Sequence, residues 1–177
     1  KLTKETCEKY DYFTSSDEIG KVQVAPYRDQ SGRVTGQKVR GRGKRFYTTG
    51  DFSDVQLFGQ HLWRKGGKRL LITEGEVDAL SAYQILGGSW PVVSLPSGAQ
   101  SAVKAIKTNL EFVESYEQII LCFDMDEAGQ EAAKEVSEFL TPGKVRVMEI
   151  TEKDANDMLL ANKVAEFTKA FWEARSI

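Results

Sequence analysis

The sequence has few of the residues that build disulfide frameworks and zinc sites. It contains two cysteines, Cys7 and Cys122, which lie far apart, and one histidine, His61. This content excludes a disulfide-stabilised fold and a cysteine zinc site built within the chain. We interpret both cysteines as buried thiols of a reducing compartment, and His61, which stands before Leu62 and Trp63, as a structural residue.

Long apolar segments are missing as well. No run of apolar residues is long enough to cross a membrane, and no signal-peptide pattern occurs. The sequence also lacks a Cys-x-x-Cys pair and the Gly-x-x-x-x-Gly-Lys-Ser/Thr pattern of a P-loop. We therefore expect a cytoplasmic protein with no membrane partner and no zinc bound by this chain.

The formal net charge of −2 conceals an uneven distribution of charge. Residues 1–69 hold 15 Lys and Arg against 8 Asp and Glu, whereas residues 70–177 hold 9 against 18. A basic first part and an acidic second part suggest a groove for a polyanion beside an acidic, metal-binding pocket. Two unrelated solvated surfaces are the alternative interpretation.

The apolar pattern changes along the chain. Residues 21–28 and 33–40 alternate apolar and polar side chains around a glycine-containing turn, which predicts a hairpin, followed by a short strand at 45–49. From residue 70 onward, apolar runs alternate with helical patterns, which predicts right-handed βαβ units and a parallel sheet. The predicted strands are 70–73, 92–95, 119–123 and 145–150, and the predicted helices are 77–86, 101–112, 127–140, 154–160 and 164–175.

This pattern predicts an α/β fold, α+β overall, in three parts. A small, basic, β-rich subdomain is expected at residues 1–66, because residues 64–67 form a polar, glycine-rich link. A parallel-sheet subdomain flanked by helices is expected at 67–162. The last helix, within 163–177, is expected to pack against this subdomain or to act as a linker.

Three acidic clusters follow three of the predicted strands, at residues 74–78, 124–126 and 153–157. Because parallel strands end on the same edge of a sheet, we expect four acids to converge there: Glu74, Asp124, Asp126 and Asp154. Asp124 and Asp126 are two residues apart and point the same way in an extended chain, so their charges repel unless a cation lies between them. Oxygen ligands of this kind favour Mg²⁺ or Mn²⁺.

Helix capping is the alternative explanation for several of these acids. Asp154, Asp157 and Glu127 each precede or begin a predicted helix, where a carboxylate accepts backbone N–H groups. Asp78 is expected either to support the metal site or to orient a neighbour, and Asp157 is a second possible supporting residue. Capping accounts for only one of Asp124 and Asp126.

A basic segment follows the predicted hairpin. In an extended chain, alternation places four cations on one side: Lys38, Arg40, Arg42 and Lys44. Such a row fits a phosphate backbone or a triphosphate. The alternative is a solvated edge strand that its charges protect from aggregation.

The acidic motifs resemble the TOPRIM signature, which primases, topoisomerases and some nucleases share. The resemblance to the primase part of the T7-like phage primase–helicases extends further, over residues 73–76, 91–95, 117–121, 123–129, 143–147 and 153–157, and over residues 27–30, 37–40, 57–59 and 61–63. The resemblance covers nearly the whole chain. It differs at Pro96 and Ser97, which replace another residue pair before Gly98.

The resemblance implies a TOPRIM fold and a DNA primase, a DNA-directed RNA polymerase that makes short RNA primers on single-stranded DNA during replication. The implied reaction is metal-dependent nucleotidyl transfer from ribonucleoside triphosphates. Two Mg²⁺ or Mn²⁺ ions are implied, with Asp124, Asp126 and Asp154 as ligands and Glu74 as a further ligand or the proton acceptor. Lys38 and Lys44 match a basic motif that handles nucleotide phosphates and template, and Arg40 and Arg42 lie beside them.

The family usually carries an N-terminal zinc-binding domain and a C-terminal ring helicase. We expect this chain to be a catalytic fragment, or partners to supply those parts. The alternatives are a TOPRIM nuclease or topoisomerase, although no tyrosine is marked as a nucleophile, and a DNA-binding module that needs no metal. The presence of Lys38 and Lys44 together with the full set of acids favours primer synthesis over these alternatives.

Overall fold

The computed structural model describes residues 1–43 and 45–176, and Lys44 therefore lies outside the described residues. The strands are β1 Phe13–Asp17, β2 Gly20–Arg28, β3 Val34–Arg40, β4 Phe46–Gly50, β5 Gly67–Thr73, β6 Val92–Ser94, β7 Tyr116–Cys122 and β8 Val145–Val147. The helices are α1 Lys4–Lys9, α2 Glu76–Ile85, α3 Ala102–Thr108, α4 Leu110–Glu114, α5 Glu127–Phe139, α6 Ala155–Leu160 and α7 Val164–Glu173. None of the helices in the described ranges is long and apolar enough to span a bilayer.

The first four strands form an antiparallel sheet in the order β1-β2-β3-β4. The predicted hairpin is confirmed as β2 and β3. Its turn is fixed by Asp29, whose Oδ1 accepts the backbone N–H groups of Ser31 at 2.9 Å and Arg33 at 3.1 Å. Gly32 supplies the positive φ of +84° that the turn requires. The short strand predicted at 45–49 is confirmed as β4.

The other four strands form a parallel sheet in the order β6-β5-β7-β8. Successive side chains point to opposite faces, so Leu70 and Ile72 pack with α3 and α5, whereas Leu71 packs with α2, α6 and α7. Helices on both faces explain why these strands are apolar throughout. The predicted parallel sheet is confirmed.

Both edges of the parallel sheet are covered. Phe58, in the segment after β4, exchanges two backbone hydrogen bonds with Ser94 of β6, at 2.9 and 3.1 Å. At the other edge, Arg175 exchanges two with Val147 of β8, at 2.7 and 3.1 Å. These pairings satisfy edge groups that would otherwise invite association with another chain.

The two sheets share one apolar core. Tyr10, Tyr27 and Phe58 are nearly fully buried, and the Phe58 ring lies 5.7 Å from each tyrosine ring, measured between centroids. Tyr27 of β2 belongs to the same cluster as Leu71 of β5 and Leu80 of α2. The antiparallel sheet is therefore fixed against the parallel sheet, with a cleft between them. The division at residues 1–66, 67–162 and 163–177 stays a prediction.

Three elements differ from the sequence-based expectations. Strand β1 was not predicted, because its residues are polar and mostly exposed and give no apolar alternation. The helix expected at 101–112 is divided at Asn109, whose buried side-chain amide donates to the carbonyls of Ala105 at 3.0 Å and Val55 at 3.2 Å. The strand expected at 145–150 ends at Val147, and Met148 and Ile150 pack in the core instead.

Candidate active site

The ends of β5 and β7 bring two predicted acids together. Thr73 pairs with Cys122 in the parallel register, so Glu74 and Asp124 follow at the same edge of the sheet. Glu74 is held in place by backbone groups, because its Oε1 accepts the N–H of Ala99 at 3.2 Å and its Oε2 that of Asp124 at 3.4 Å. Burial, the neighbouring Asp124 and, to a lesser degree, Asp126 raise the pKa of Glu74.

Asp78 and Asp154 form a second pair of acids at the same edge. Asp154 is the N-cap of α6 and accepts the N–H of Asp157 at 2.8 Å. Asp78, in the first turn of α2, accepts the N–H of Asn156 at 3.0 Å. Burial, followed by the charge of Asp154, raises the pKa of Asp78. The capping interpretation of Asp154 is thus correct, and this residue also lines the cleft.

Asp126 and Asp157 lie less centrally. Asp126 is the N-cap of α5, with its Oδ1 accepting the N–H of Gly129 at 3.0 Å, and it lines a neighbouring depression beside Ala99. Asp157 lies in the first turn of α6 and is not among the described residues that line the cleft.

The basic strand faces these acids across a cleft of about 270 Å³. Lys38 and Arg40 of β3 line one wall, and the opposite wall carries the carboxylates Glu74, Glu76, Asp78, Asp124 and Asp154. The single extended row of cations was wrong beyond Arg40, because β3 ends there and Gly43 has a φ of +68°. Arg42 lies instead in an adjoining groove, beside Gly41.

The sequence analysis missed two charged residues of this cleft, Lys153 and Glu76. The Nζ of Lys153 lies 2.6 Å from Oδ2 of Asp124. The Nζ of Lys38 lies 2.8 Å from Oε1 of Glu76. Lys153 directly precedes Asp154, and Glu76 is two residues after Glu74, so their positions within the acidic clusters were a usable signal. Phe46, which also lines the cleft, flanks the basic segment in the sequence, and its ring lies 5.4 Å, from centroid to Cζ, from the guanidinium of Arg40.

Burial and the crowding of negative charge together determine the electrostatics of the cleft. The raised pKa of Glu74 and of Asp78 reflects burial and adjacent carboxylates, which is the arrangement that a bound cation relieves. Across residues 1–43 and 45–176, no group of three His, Cys, Asp or Glu side chains is arranged to hold a metal ion. The ammonium of Lys153 supplies the positive charge beside Asp124, and hydrogen bonding to Asp124 raises the pKa of Lys153.

Comparison with known proteins identifies the family. Residues 1–50 match the family described as "Bacteriophage T7 DNA helicase/primase, N-terminal a+b fold", and residues 71–159 match the Toprim-like family. The crystal structure of the primase fragment of the bacteriophage T7 primase-helicase is 45% identical, with a TM-score of 0.90, and the match covers 97% of this chain and 71% of that one. The chain belongs to the Toprim family of T7-type phage primases.

Two further relatives extend this assignment. A DNA helicase/primase of Enterobacteria phage T3 is 43% identical over 173 residues, which are 98% of this chain and 30% of the relative. The chain therefore spans about a third of that protein. A second solved structure shows the bacteriophage T7 lagging-strand DNA polymerase interacting with primase domains, in a complex that contains an RNA/DNA hybrid and dTTP. Its match is 44% identical, with a TM-score of 0.93, and covers all of this chain and 90% of that one. The resemblance and the fold class inferred from the sequence are confirmed.

Gly129→Ala tests the close approach that places Asp124. Alanine normally stabilises a helix by about 1 kcal/mol relative to glycine. At Gly129, however, a Cβ would lie 2.2 Å from the backbone carbonyl oxygen of Asp124, so the turn between β7 and α5 must shift. We expect a lower melting temperature, measured by circular dichroism.

The control for this variant is Gly143→Ala. There φ is +84° and a Cβ would meet nothing within 4 Å, so only backbone strain of about 1–2 kcal/mol is expected. A Gly129→Ala protein as stable as the wild type would contradict the packing described for this turn.

Asp78→Asn tests the raised pKa of Asp78. The folded protein keeps this proton at pH values where the unfolded chain, with a pKa of about 3.9, has lost it. The wild type therefore loses stability as the pH rises above about 4 towards the raised folded pKa. Asparagine does not ionise, so the variant avoids this pH-dependent loss of stability, and its side-chain oxygen can still accept the hydrogen bond from the N–H of Asn156. With chelator present, we expect the variant to melt about 2–4 °C above the wild type at pH 8, a shift that corresponds to roughly 1 kcal/mol.

The pH dependence is the decisive part of this measurement. The difference in melting temperature between Asp78→Asn and the wild type should decrease towards pH 4. The control Asp54→Asn, at an exposed position, should show no such dependence on pH. A stability difference that is the same at every pH would rule out the proton held by Asp78 as its cause.

Proposed function

We propose that this chain is the catalytic primase part of a larger replication protein. It joins ribonucleotides on a single-stranded DNA template and thereby makes short RNA primers. The main support is one observation: Lys38 and Arg40 of the antiparallel sheet face Glu74, Asp124 and Asp154 of the parallel sheet across a single cleft. Nucleotidyl transfer requires phosphate-binding cations and metal-binding carboxylates within the length of one triphosphate.

The donor chemistry supports a divalent cation, Mg²⁺ or Mn²⁺. The acidic wall offers oxygen ligands only. Burial and the neighbouring charge of Asp124 raise the pKa of Glu74, and a hard cation would relieve this concentration of negative charge. We assign two ions to Asp124, Asp126 and Asp154. Once bound, they would neutralise the triphosphate and lower the pKa of the attacking 3′-hydroxyl.

The residues of the chain then have distinct roles. Glu74 is held by the backbone N–H groups of Ala99 and Asp124, so its carboxylate keeps one orientation. A raised pKa suits a proton acceptor better than a metal ligand, and we assign Glu74 to accept the proton of the 3′-hydroxyl. Asp78, by holding the start of α6, keeps Asp154 in place.

The cations bind the phosphates and the template. Lys38 and Arg40 line the cleft and would contact the incoming triphosphate, with Lys44 as a further phosphate ligand and Arg42, in the adjoining groove, as a template contact. The T7 complex of polymerase and primase domains with an RNA/DNA hybrid supports a nucleic-acid ligand. The helicase/primase relative, about three times longer, supports a further helicase part in the same or a partner chain. The family resemblance adds a zinc-binding part to this proposal.

Primer synthesis by defined variants tests this function. The protein is incubated with single-stranded DNA, labelled ribonucleotides, a supplied dinucleotide and Mg²⁺. We expect short RNA products, their loss by at least about 100-fold in Asp124→Asn because charge stabilisation is lost, and a reduced yield in Lys44→Ala. Glu138→Gln, an exposed carboxylate near the far end of α5, should leave the yield unchanged.

The possible products separate the competing functions. Fragments of DNA in place of RNA would move the chain to the TOPRIM nucleases. DNA binding without product and without Mg²⁺ dependence would favour a binding module. If neither product forms, the reaction is repeated with the zinc-binding and helicase parts added, and continued failure would refute the proposed primase activity.

A further inference from the structure

Lys38 is attached to two elements of the opposite sheet. Its Nζ lies 2.8 Å from Oε1 of Glu76, at the start of α2, and donates to the carbonyl of Pro96, after β6, at 3.3 Å. Glu76 also accepts a hydrogen bond from the buried hydroxyl of Tyr27, on β2. Lys38 and Tyr27 come from neighbouring strands of the antiparallel sheet, so Glu76 is bonded to both of these strands.

This ion pair differs from those on the surface. The side chains of Lys38 and Glu76 are 22% and 13% exposed, whereas those of the Lys65–Glu111 pair are 56% and 85% exposed. Exposed pairs contribute little, because water competes for both charges. A carboxylate as sheltered as Glu76 requires partners for its charge, and Lys38 and Tyr27 provide them.

Among residues 1–43 and 45–176, the ammonium of Lys38 has two polar partners, Glu76 and Pro96. A lysine ammonium has three N–H donors. Glu76 and Pro96 take two of them, and the third remains for a ligand in the cleft that Lys38 lines. A lysine side chain is otherwise flexible, so two fixed contacts remove the entropy that its ordering would cost when a phosphate binds.

The same contacts connect Lys38 to the acidic wall. Pro96 belongs to the loop that leads to Ala99, and the N–H of Ala99 donates to Glu74 at 3.2 Å. One loop therefore contacts the cation that faces the phosphates and the carboxylate at the end of β5. The spacing between these two groups is fixed by backbone atoms rather than by flexible side chains.

We propose that Glu76 is a positioning residue, which holds the ammonium of Lys38 for a phosphate of the incoming ribonucleoside triphosphate, and that Tyr27 fixes Glu76 in turn. The inference rests on the proposed primase function, since it names that nucleotide as the ligand. It gives Glu76 no contact with the substrate; its effect is exerted entirely through Lys38.

A double-mutant cycle on triphosphate binding tests this inference without requiring catalysis. Binding of ATP with Mg²⁺ is measured by titration calorimetry for the wild type, Glu76→Gln, Lys38→Met and the double variant. We expect Glu76→Gln to weaken binding about tenfold, Lys38→Met to weaken it at least as much, and the double variant to match Lys38→Met within about twofold. A merely structural role of Glu76 would weaken binding further in the Lys38→Met background.

Steady-state kinetics supply the second readout. In primed RNA extension, Glu76→Gln should raise KM for the ribonucleotide about tenfold and change kcat less than twofold. Tyr27→Phe, which removes one hydroxyl, should act in the same direction with a smaller effect, and it replaces Glu76→Gln if that variant does not fold. Glu111→Gln, in the exposed ion pair with Lys65, is the control and should match the wild type in binding and KM.

The outcomes separate this inference from the proposed function. A wild type that binds ATP but makes no RNA, even with the zinc-binding and helicase parts added, refutes the primase proposal and leaves the cycle interpretable. Unchanged ATP affinity in both Glu76→Gln and Tyr27→Phe would overturn the positioning role. An equal loss from Glu76→Gln in the presence and absence of Lys38 would overturn it as well.

Discussion

Repulsion between carboxylates at one edge of the parallel sheet is the constraint on which the rest of the structure depends. Parallel strands end together, so Glu74 and Asp124 come side by side, and Asp154 follows at the start of α6. Folding such a cluster requires compensation by backbone N–H groups, protonation or cations. The structure uses all three: N–H donors to Glu74, a raised pKa at Asp78, and Lys153 beside Asp124.

Capping and site formation prove to be compatible uses of one side chain. A carboxylate has two oxygens with several lone pairs, and a cap requires one of them. The Oδ1 atoms of Asp126 and Asp154 each accept a hydrogen bond from the backbone N–H of the third residue of a helix. This bond fixes the side chain at the start of that helix. A helix cap and a residue of the cleft, which the sequence analysis treats as alternatives, can therefore be the same side chain. The cap preorganises Asp154, whose side chain lines the cleft.

The sequence predicted what depends on local pattern, and failed where tertiary contacts decide. The hairpin, the parallel sheet and the strand-end acids follow from alternation, turn residues and chain order. Strand β1 has no apolar face, and the break at Asn109 coincides with a hydrogen bond from its side chain to Val55, 54 residues away, which no local pattern reveals. The partnership of Tyr27 and Glu76 spans 49 residues and was equally invisible.

The antiparallel sheet is more than a carrier of positive charge, because the shared aromatic core fixes its distance from the acids. Tyr27 packs against Phe58 and also donates to Glu76, so one side chain belongs to the core and to the cleft wall. Electrostatic binding depends on distances of a few ångströms, and a basic strand on a flexible linker could not hold them. The charge asymmetry of the sequence thus becomes useful only through the packing of the two sheets. In the proposed function, these cations bind the phosphates of the substrate, and the buried aromatic contacts determine the distance between those cations and the carboxylates.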